Sequence, residues 1–201
     1  MTSVTEKQAS KSRGGRGARQ RILNAASELF YCEGINATGV GVIAKRASVS
    51  KRTLYQHFPS KTALVEEYLR RLRQQNGAAE CTSPQTPGPT PRVRLLASFE
   101  RTEADEGRMR GCPFHNAAVE AAGALPGVEH IVHQHKRDYI DGLTQLAREA
   151  GAADPDTLGN QLALLYEGAC GLSTSLNDPA PWTHARAAAE AMIDQALSRL
   201  K

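Results

Sequence analysis

Residues 47–61 read ASVSKRTLYQHFPSK and place many polar groups on one short stretch of chain. We expect a tight turn at ASVS, then a short helix over 51–57 that ends before Pro59. Another short helix is expected just upstream, over 41–47, with Thr38 as its N-cap. Two short helices joined by a tight turn form a helix-turn-helix. Small and aliphatic residues suited to its interior are Ile43, Ala44, Ala47, Val49 and Leu54.

The polar side chains of the second of these helices are of the kinds that bind DNA. A helix fits the major groove, which is about 12 Å wide. Side chains able to bond base edges or nearby phosphates are Lys51, Arg52, Thr53 and Gln56. Side chains suited to phosphates, which fix the register without reading sequence, are Tyr55, His57 and Lys61. An ordinary solvated helix face is the alternative, and the crowding of polar groups favours DNA.

Residues 19–70 resemble the DNA-binding domain of the TetR family of transcriptional regulators. The matching features are a first helix ending ELFYCEG and then ATGVGVIAKRASVSKRTLYQHFPSKTALVEEYL, with IA, A-x-VS, TLYxHF and SK-x-x-L at fixed offsets. The resemblance implies an all-α, two-domain homodimer that binds a palindromic operator, usually as a repressor. The DNA contacts that it implies are Thr38 near a phosphate, and Lys51, Arg52, Thr53, Tyr55, Gln56, His57 and Lys61.

Two positions depart from the family pattern. Many members carry Gly where this chain has Ser48, in a turn that favours a positive φ. Gly41 stands where Arg or another polar contact residue is common, which removes one base contact from the first helix of the motif.

The rest of the chain is expected to be helical, because no strand pattern competes with the 3.6-residue periodicity. Ser60 can cap a fourth helix that runs to about Gln75. Further helices are expected over 91–105, 113–123, 126–150, 155–177 and 183–200. The predicted organisation is a disordered basic arm (1–18), a helix-turn-helix domain with its connecting helix (19–75), a Pro-rich loop (76–90) and a ligand-binding and dimerisation domain (91–201).

Charge is divided unevenly along the chain. Residues 1–75 contain 14 Lys or Arg and 5 Asp or Glu, a net charge of +9, whereas residues 76–201 contain 11 and 16, a net charge of −5. A basic segment beside a DNA-binding motif indicates a polyanion partner. No apolar run approaches the roughly 20 residues that span a bilayer, and we expect a cytoplasmic protein. The four cysteines form no CxxC pair, which disfavours disulfides and a thiolate zinc site.

A candidate effector site begins at RGCPFHNAAVEAAG, which resembles a G-C-x-x-x-N-x-x-x-E pattern in one subset of TetR regulators. The candidate effector-binding residues are Phe114, His115, Asn116, Glu120, Tyr139 and Tyr166. The alternative is that Phe114 and the neighbouring alanines are simply core. We expect no cofactor and no resident metal.

Two other kinds of site remain as alternatives. Cys112 and His115 are three residues apart, which would suit a nucleophile and its base, although such a pair needs an orienting third group. Cys112 could instead sense redox state. His130 and His133 share a helix face near Glu129, a spacing that suits metal ligation.

Small residues in the last helices predict a dimer interface. Gly168, Ala169 and Gly171 interrupt an apolar stripe, and ARAAAEAMIDQALSRL is a second amphipathic helix. Two such helices from each chain would form a four-helix bundle. The alternatives are an intrachain core for these helices and, for the whole protein, an architectural DNA binder without an effector.

Overall fold

A computed structural model describes residues 17–79, 90–100 and 109–198, and within them it contains α-helices and no strand. The helices are α1 Ala18–Glu33, α2 Val40–Arg46, α3 Lys51–His57, α4 Lys61–Ala79, α5 Pro91–Ala97, α6 Pro113–Ala121, α7 Pro126–Glu149, α8 Pro155–Leu176 and α9 Ala180–Ser198. The predicted all-α fold is confirmed. In the described ranges, no helix is long and apolar enough to cross a membrane.

The chain divides into two compact units. The N-terminal unit groups the chain up to Gly77 with Asn116–Val132, and the C-terminal unit groups Ala78–His115 with His133–Lys201. Residues 116–132 were predicted to belong to the ligand-binding domain, so the N-terminal unit is larger than the predicted 19–75. Most of the predicted basic arm and Pro-rich loop lies outside the described residues.

The N-terminal unit is built around the apolar face of α1. Residues at helical spacing along this helix are buried, and they are Ile22, Ala25, Ala26, Leu29 and Phe30. Helix α4 adds Leu64, Val65, Tyr68 and Leu69 to the same core. The rings of Phe30 and Tyr68 are 5.7 Å apart. Burial of these side chains supplies the stabilisation that short helices such as α2 and α3 lack on their own.

Helix α2 begins one residue earlier than predicted, at Val40, and its N-cap is Gly39 rather than Thr38. No side chain caps this end of the helix. The prediction failed because the Thr38 hydroxyl bonds backward, to the carbonyls of Gly34 and Leu29. Ser48, in the turn between α2 and α3, has φ 53°, as the family comparison at this position predicted.

Helices α3 and α4 begin where the sequence placed them. The Ser50 hydroxyl accepts the backbone N–H of Thr53 at 3.0 Å and so caps α3. The Ser60 hydroxyl accepts the backbone N–H of Ala63 at 3.0 Å and caps α4. Helix α4 continues to Ala79, four residues beyond the predicted end.

The C-terminal unit is centred on the packing of α8 against α9. Leu158, Leu162, Ala185, Ala189 and Ile193 form the middle of its core. At Gly159 a Cβ atom would lie 2.8 Å from the backbone nitrogen of Thr144, so this glycine allows α7 and α8 to approach closely. Three aromatic rings cluster in this unit. The ring centroid of Tyr166 lies 5.3 Å from that of Trp182 and 6.4 Å from that of Phe99.

The C-terminal helices lie close to their predicted positions. Helix α5 ends at Ala97, and residues 101–105 of the predicted 91–105 helix lie outside the described residues. Helix α9 begins at Ala180, three residues before the predicted start. Cys112 and Cys170 are buried free thiols and Cys32 is an exposed one.

Candidate nucleic-acid interface

Helix α3 separates apolar and polar side chains completely. Leu54 and the adjoining Phe58 are buried in the N-terminal unit. The residues that α3 exposes are Lys51, Arg52, Tyr55, Gln56 and His57, all of them predicted DNA contacts. Tyr55 is 47% exposed, although tyrosine usually covers its ring, so the polar face of α3 is open to a partner.

Thr53, the remaining predicted contact on α3, has a second role. Its backbone N–H is held by the Ser50 hydroxyl, and the two side-chain oxygens are 2.9 Å apart. Thr53 is half-buried. Its hydroxyl therefore supports the cap that fixes the start of α3, where Lys51 and Arg52 lie.

The side chain of Lys51 lies against Gly41 of helix α2. A Cβ atom at position 41 would be 3.0 Å from the Lys51 Cε and 3.5 Å from its Nζ. The sequence suggested that Gly41 removes a contact from this surface. In the structure the Lys51 side chain fills the space above Gly41. Its ammonium group therefore lies on the surface of α2, although the residue is part of α3.

Thr38 does not fit its predicted role. This residue is 1% exposed, and its hydroxyl donates to the Gly34 carbonyl at 2.7 Å and to the Leu29 carbonyl at 3.3 Å. A buried hydroxyl that is already paired has no exposed atom with which to reach a phosphate. The expected phosphate contact from Thr38 therefore gains no support, and in this structure the residue fixes the turn before α2.

Helix α2 contributes two exposed side chains that the sequence interpretation missed. Lys45 is exposed in the last turn, and Val42 is exposed one turn earlier. Their neighbour Arg46 is tied to Glu28 by an ion pair. The signal for Lys45 was its place on the polar side of α2, opposite the buried Ile43 and Ala44.

Two arginines of α1 contact residues at the ends of the helix-turn-helix helices. The guanidinium of Arg19 lies 5.2 Å from the ring centroid of Phe58, and it pairs with Glu67. The Nε of Arg21 donates to the Ala47 carbonyl at 3.2 Å, at the end of α2. Lys61, the last predicted contact, is half-buried at the start of α4 rather than on α3.

The predicted effector residues are distributed over both units. Asn116 and Glu120 belong to the N-terminal unit, whereas Phe114, His115, Tyr139 and Tyr166 belong to the C-terminal unit. The Glu120 carboxylate accepts the backbone N–H groups of Ile35 and Asn36 at 3.1 and 2.6 Å. Glu120 therefore has a structural role in the N-terminal unit, and these bonds give no support to its predicted place in an effector site.

Within the C-terminal unit the other candidates lie near a group of ionisable side chains. Phe114 is buried and stacks on His135, with ring centroids 3.5 Å apart, and the Tyr139 and Tyr166 rings are 5.1 Å apart. Lys136 pairs with Glu167, and its Nζ is 3.4 Å from the Cys112 sulfur. Burial opposes the charge of Lys136, but Cys112 and Glu167 outweigh it and raise the pKa of the lysine.

Burial also perturbs three weak acids in this region. It raises the pKa of Cys170 to about 12 and the pKa of both Tyr139 and Tyr166 well above the usual range. These groups are therefore neutral at physiological pH. Among the described residues, the Tyr139 hydroxyl is the one buried side-chain polar atom with no hydrogen-bond partner.

The enzyme and metal alternatives gain no support from these contacts. Cys112 faces Lys136, whereas His115 Nδ1 faces Glu167 at 3.8 Å, so the two have different partners. His130 and His133 are both exposed on α7. In the part of the chain that the structure describes, no three His, Cys, Asp or Glu residues gather in a way that could hold a metal ion.

The outer face of α8 exposes leucines beside open glycines. Leu164, Leu172 and Leu176 are 73%, 57% and 64% exposed. A Cβ atom added at Gly168 or Gly171 would meet nothing within 4 Å. The two glycines of the predicted small-residue stripe thus face solvent in the single chain, whereas Ala169 between them is buried in its core.

Comparison with known proteins agrees with the geometry of the helix-turn-helix. Residues 22–68 match the family described as bacterial regulatory proteins, tetR family, and residues 89–189 match the tetracyclin repressor-like C-terminal domain. The transcriptional activator FasR of Mycolicibacterium smegmatis is 51% identical over 53 residues, which span 26% of this chain and 24% of FasR.

Longer matches cover both units. The transcriptional regulator AcrR of Shigella flexneri is 30% identical over 159 residues, 75% of this chain and 73% of AcrR. The crystal structure of a TetR-family regulator from Streptomyces coelicolor has a TM-score of 0.71 at 29% identity, and the match covers 90% of this chain and 96% of that one. With an exposed polar α3 on a buried apolar scaffold, and with both family domains present, the chain belongs to the TetR family of DNA-binding transcriptional regulators.

Proposed function

We propose that this protein is a homodimeric repressor that binds a palindromic operator and leaves it when a small-molecule effector binds. The observation that carries the proposal is the open polar face of α3, with Lys51, Arg52, Tyr55, Gln56 and His57 exposed around a buried Leu54. Such a helix on a family scaffold is suited to the major groove.

The residues of this face divide into two roles. Arg52 and Gln56 have the two-pronged donors and acceptors that distinguish base pairs, and Lys51 is a donor for guanine. Thr53 adds a hydroxyl at the start of the helix. Tyr55, His57 and Lys61 contact phosphates and set the register, and we add Lys45, whose exposed ammonium is at the end of α2.

Dimerisation through α8 and α9 is supported by the exposed leucines of α8. Isolated exposed apolar residues are normal on a protein surface, but three large ones on a single helix beside two open glycines are suited to close helix packing. A dimer would set its two α3 helices about 34 Å apart, one turn of B-DNA. The two-fold symmetry of such a dimer is the reason for expecting a palindromic operator, and the spacing sets the separation of its half-sites.

The effector site is proposed for the C-terminal unit, near Phe114, His115, Tyr139 and Tyr166. The unpaired hydroxyl of Tyr139 could donate to an effector acceptor, and Lys136 brings a positive charge nearby. An effector that prefers one arrangement of the dimer lowers operator affinity by its differential binding energy. We propose repression because members of the family usually repress transcription, although the relative FasR is named as an activator.

The proposal is tested by selecting genomic fragments that the purified protein retains and footprinting them. A repressor protects a discrete palindrome of two half-sites, and it reduces transcription from a promoter that overlaps this site. Continuous protection without a preferred sequence would favour an architectural DNA binder. An increase in transcription would support DNA binding but show that the protein is an activator rather than a repressor.

A further inference from the structure

One carboxylate in the N-terminal unit holds two consecutive backbone N–H groups that lie far from it in sequence. Glu120, near the end of α6, accepts from Ile35 N at 3.1 Å and from Asn36 N at 2.6 Å. The side-chain amide of Asn36 donates back to the Glu120 carbonyl at 3.1 Å. Three hydrogen bonds thus join the turn after α1 to α6, and the two to the carboxylate are charge-assisted.

The turn that Glu120 holds leads directly into the helix-turn-helix. It begins at Gly34, which ends α1 with φ 99°, and it ends at Gly39, the N-cap of α2. The Thr38 hydroxyl fixes the other side of the turn to the Gly34 carbonyl. Ile35 is buried, and its N–H would be a costly unpaired donor if Glu120 moved away.

Glu120 and Thr38 both hold this turn, and no side chain caps the first turn of α2 itself. Helix α2 in turn carries Gly41, against which the Lys51 side chain lies. The direction of α2 therefore depends on the turn, and the placement of Lys51 depends on α2. A small rotation of the turn changes the position of a DNA contact without unfolding the core.

We propose that Glu120 is a positioning residue for operator binding, acting through the backbone of Ile35 and Asn36. This inference rests on the proposed DNA-binding function. It gives α6 a direct influence on the helix-turn-helix, and it assigns Glu120 a role in DNA binding.

Removing Glu120 has two effects on DNA affinity, one electrostatic and one structural, and they act in opposite directions. Loss of a negative charge from a DNA-binding protein strengthens its attraction to phosphates. Loss of a positioning residue weakens operator binding instead. Glu129 is a matched control, since its carboxylate also accepts a backbone N–H, that of Gly123 at 2.7 Å, in the same unit but away from the turn before α2.

The experiment compares Glu120→Ala, Glu120→Gln and Glu129→Ala with the wild type, using the operator selected by the wild type and a scrambled duplex of equal length. We expect Glu120→Ala to bind the operator at least about tenfold more weakly, as the loss of charge-assisted bonds implies. Glu120→Gln, which keeps one acceptor oxygen, should be intermediate. Binding to the scrambled duplex should be unchanged or tighter, and Glu129→Ala should bind the operator at least as well as the wild type.

Amide hydrogen exchange supplies a readout of the contact itself. The amides of Ile35 and Asn36 should exchange faster in Glu120→Ala, while the α1 amides keep wild-type rates. Operator binding by Glu120→Ala as tight as that of Glu129→Ala would overturn the inference. If Glu120→Ala does not fold, Glu120→Gln decides in the same way. A wild type that selects no operator would refute the proposed function, and this inference with it.

Discussion

A Cβ atom at Gly41 would lie 3.0 Å from the Cε of Lys51, so the lysine side chain occupies the space above this glycine. Because the neighbour is the far end of a flexible side chain, a methyl group here displaces Lys51 rather than the backbone. Gly41 is thus a position at which stability and DNA binding can be separated.

Gly41→Ala is expected to stabilise the fold and weaken operator binding. Alanine is favoured over glycine inside a helix by roughly 0.5–1 kcal/mol. The displaced Lys51 loses its place on the α2 surface, so operator affinity falls. Urea unfolding and operator titration measure the two effects. In a Lys51→Ala background, Gly41→Ala should cause no further loss of affinity, and a second, equal loss would contradict this account.

Replacement of single contacts should separate base reading from phosphate binding. Arg52→Ala or Gln56→Ala should relax preference at particular operator positions, by about 1–3 kcal/mol for a lost bidentate contact. Lys61→Ala should weaken all sequences alike and reduce the salt slope by about 1. A library of single-base operator changes, titrated at two salt concentrations, measures both. Altered base preference in Lys61→Ala alone would show that the roles are assigned wrongly.

Ser48→Gly should stabilise the protein without changing what it binds. Serine at φ 53° carries the cost of the left-handed region, about 1–2 kcal/mol for a residue with a Cβ atom, and glycine removes it. Glycine also makes the unfolded chain more flexible, which offsets part of this, so we expect a net gain below about 1 kcal/mol. Ser48→Val is the opposite case, because a β-branched residue fits this φ poorly. Equal urea midpoints for the two variants would contradict the argument.

Leu172→Glu should dissociate the proposed dimer without unfolding the chain. The side chain is 57% exposed in the single chain, so its replacement removes little core packing. A buried glutamate facing its symmetry mate would carry a large desolvation cost. Analytical ultracentrifugation at micromolar concentration should show a monomer, while Val93→Glu, a similarly exposed position on α5, stays dimeric. Gly171→Leu should also weaken or distort the association, and a monomeric wild type would refute the interface.

Stability is expected to fall at alkaline pH. Burial raises the pKa of Cys170 from 9.0 to about 12, so the folded state binds more protons than the unfolded state between these values. The stability contributed by the neutral thiol is full below pH 9 and is lost as pH rises toward 12, by at most about 1.4 kcal/mol per pH unit. Tyr139 and Tyr166 act in the same direction. Urea unfolding from pH 6 to 11 should show a decline above pH 9 that is shallower in Cys170→Ala.

Local signals accounted for much of the N-terminal unit. Helix α3 has its predicted bounds, and Ser60 caps α4 as expected, because these features depend on residues a few positions apart. The apolar residues of α1 recur at helical spacing along the sequence, and they are buried on one side of that helix. The polar face of α3 follows from the same periodicity.

Contacts between residues far apart in the sequence could not be predicted from such local patterns. The Thr38 hydroxyl suited an N-cap, but the carbonyls of Leu29 and Gly34 compete for it. The partner of Glu120 lies 85 residues away, at Ile35, and no local pattern marks such a pair. For the same reason the sequence placed all the effector candidates together, whereas Asn116 and Glu120 belong to the N-terminal unit.

The grouping of residues 116–132 with the N-terminal unit bears on the construction of hybrid regulators. A hybrid joined in the Pro-rich loop would keep α1 to α4 and take its remaining helices from a donor protein. Unless the donor supplies an acid at the position of Glu120, the N–H groups of Ile35 and Asn36 would lose their acceptor. A hybrid that grafts residues 116–132 together with 17–77 retains it, so the exchangeable module is discontinuous in sequence.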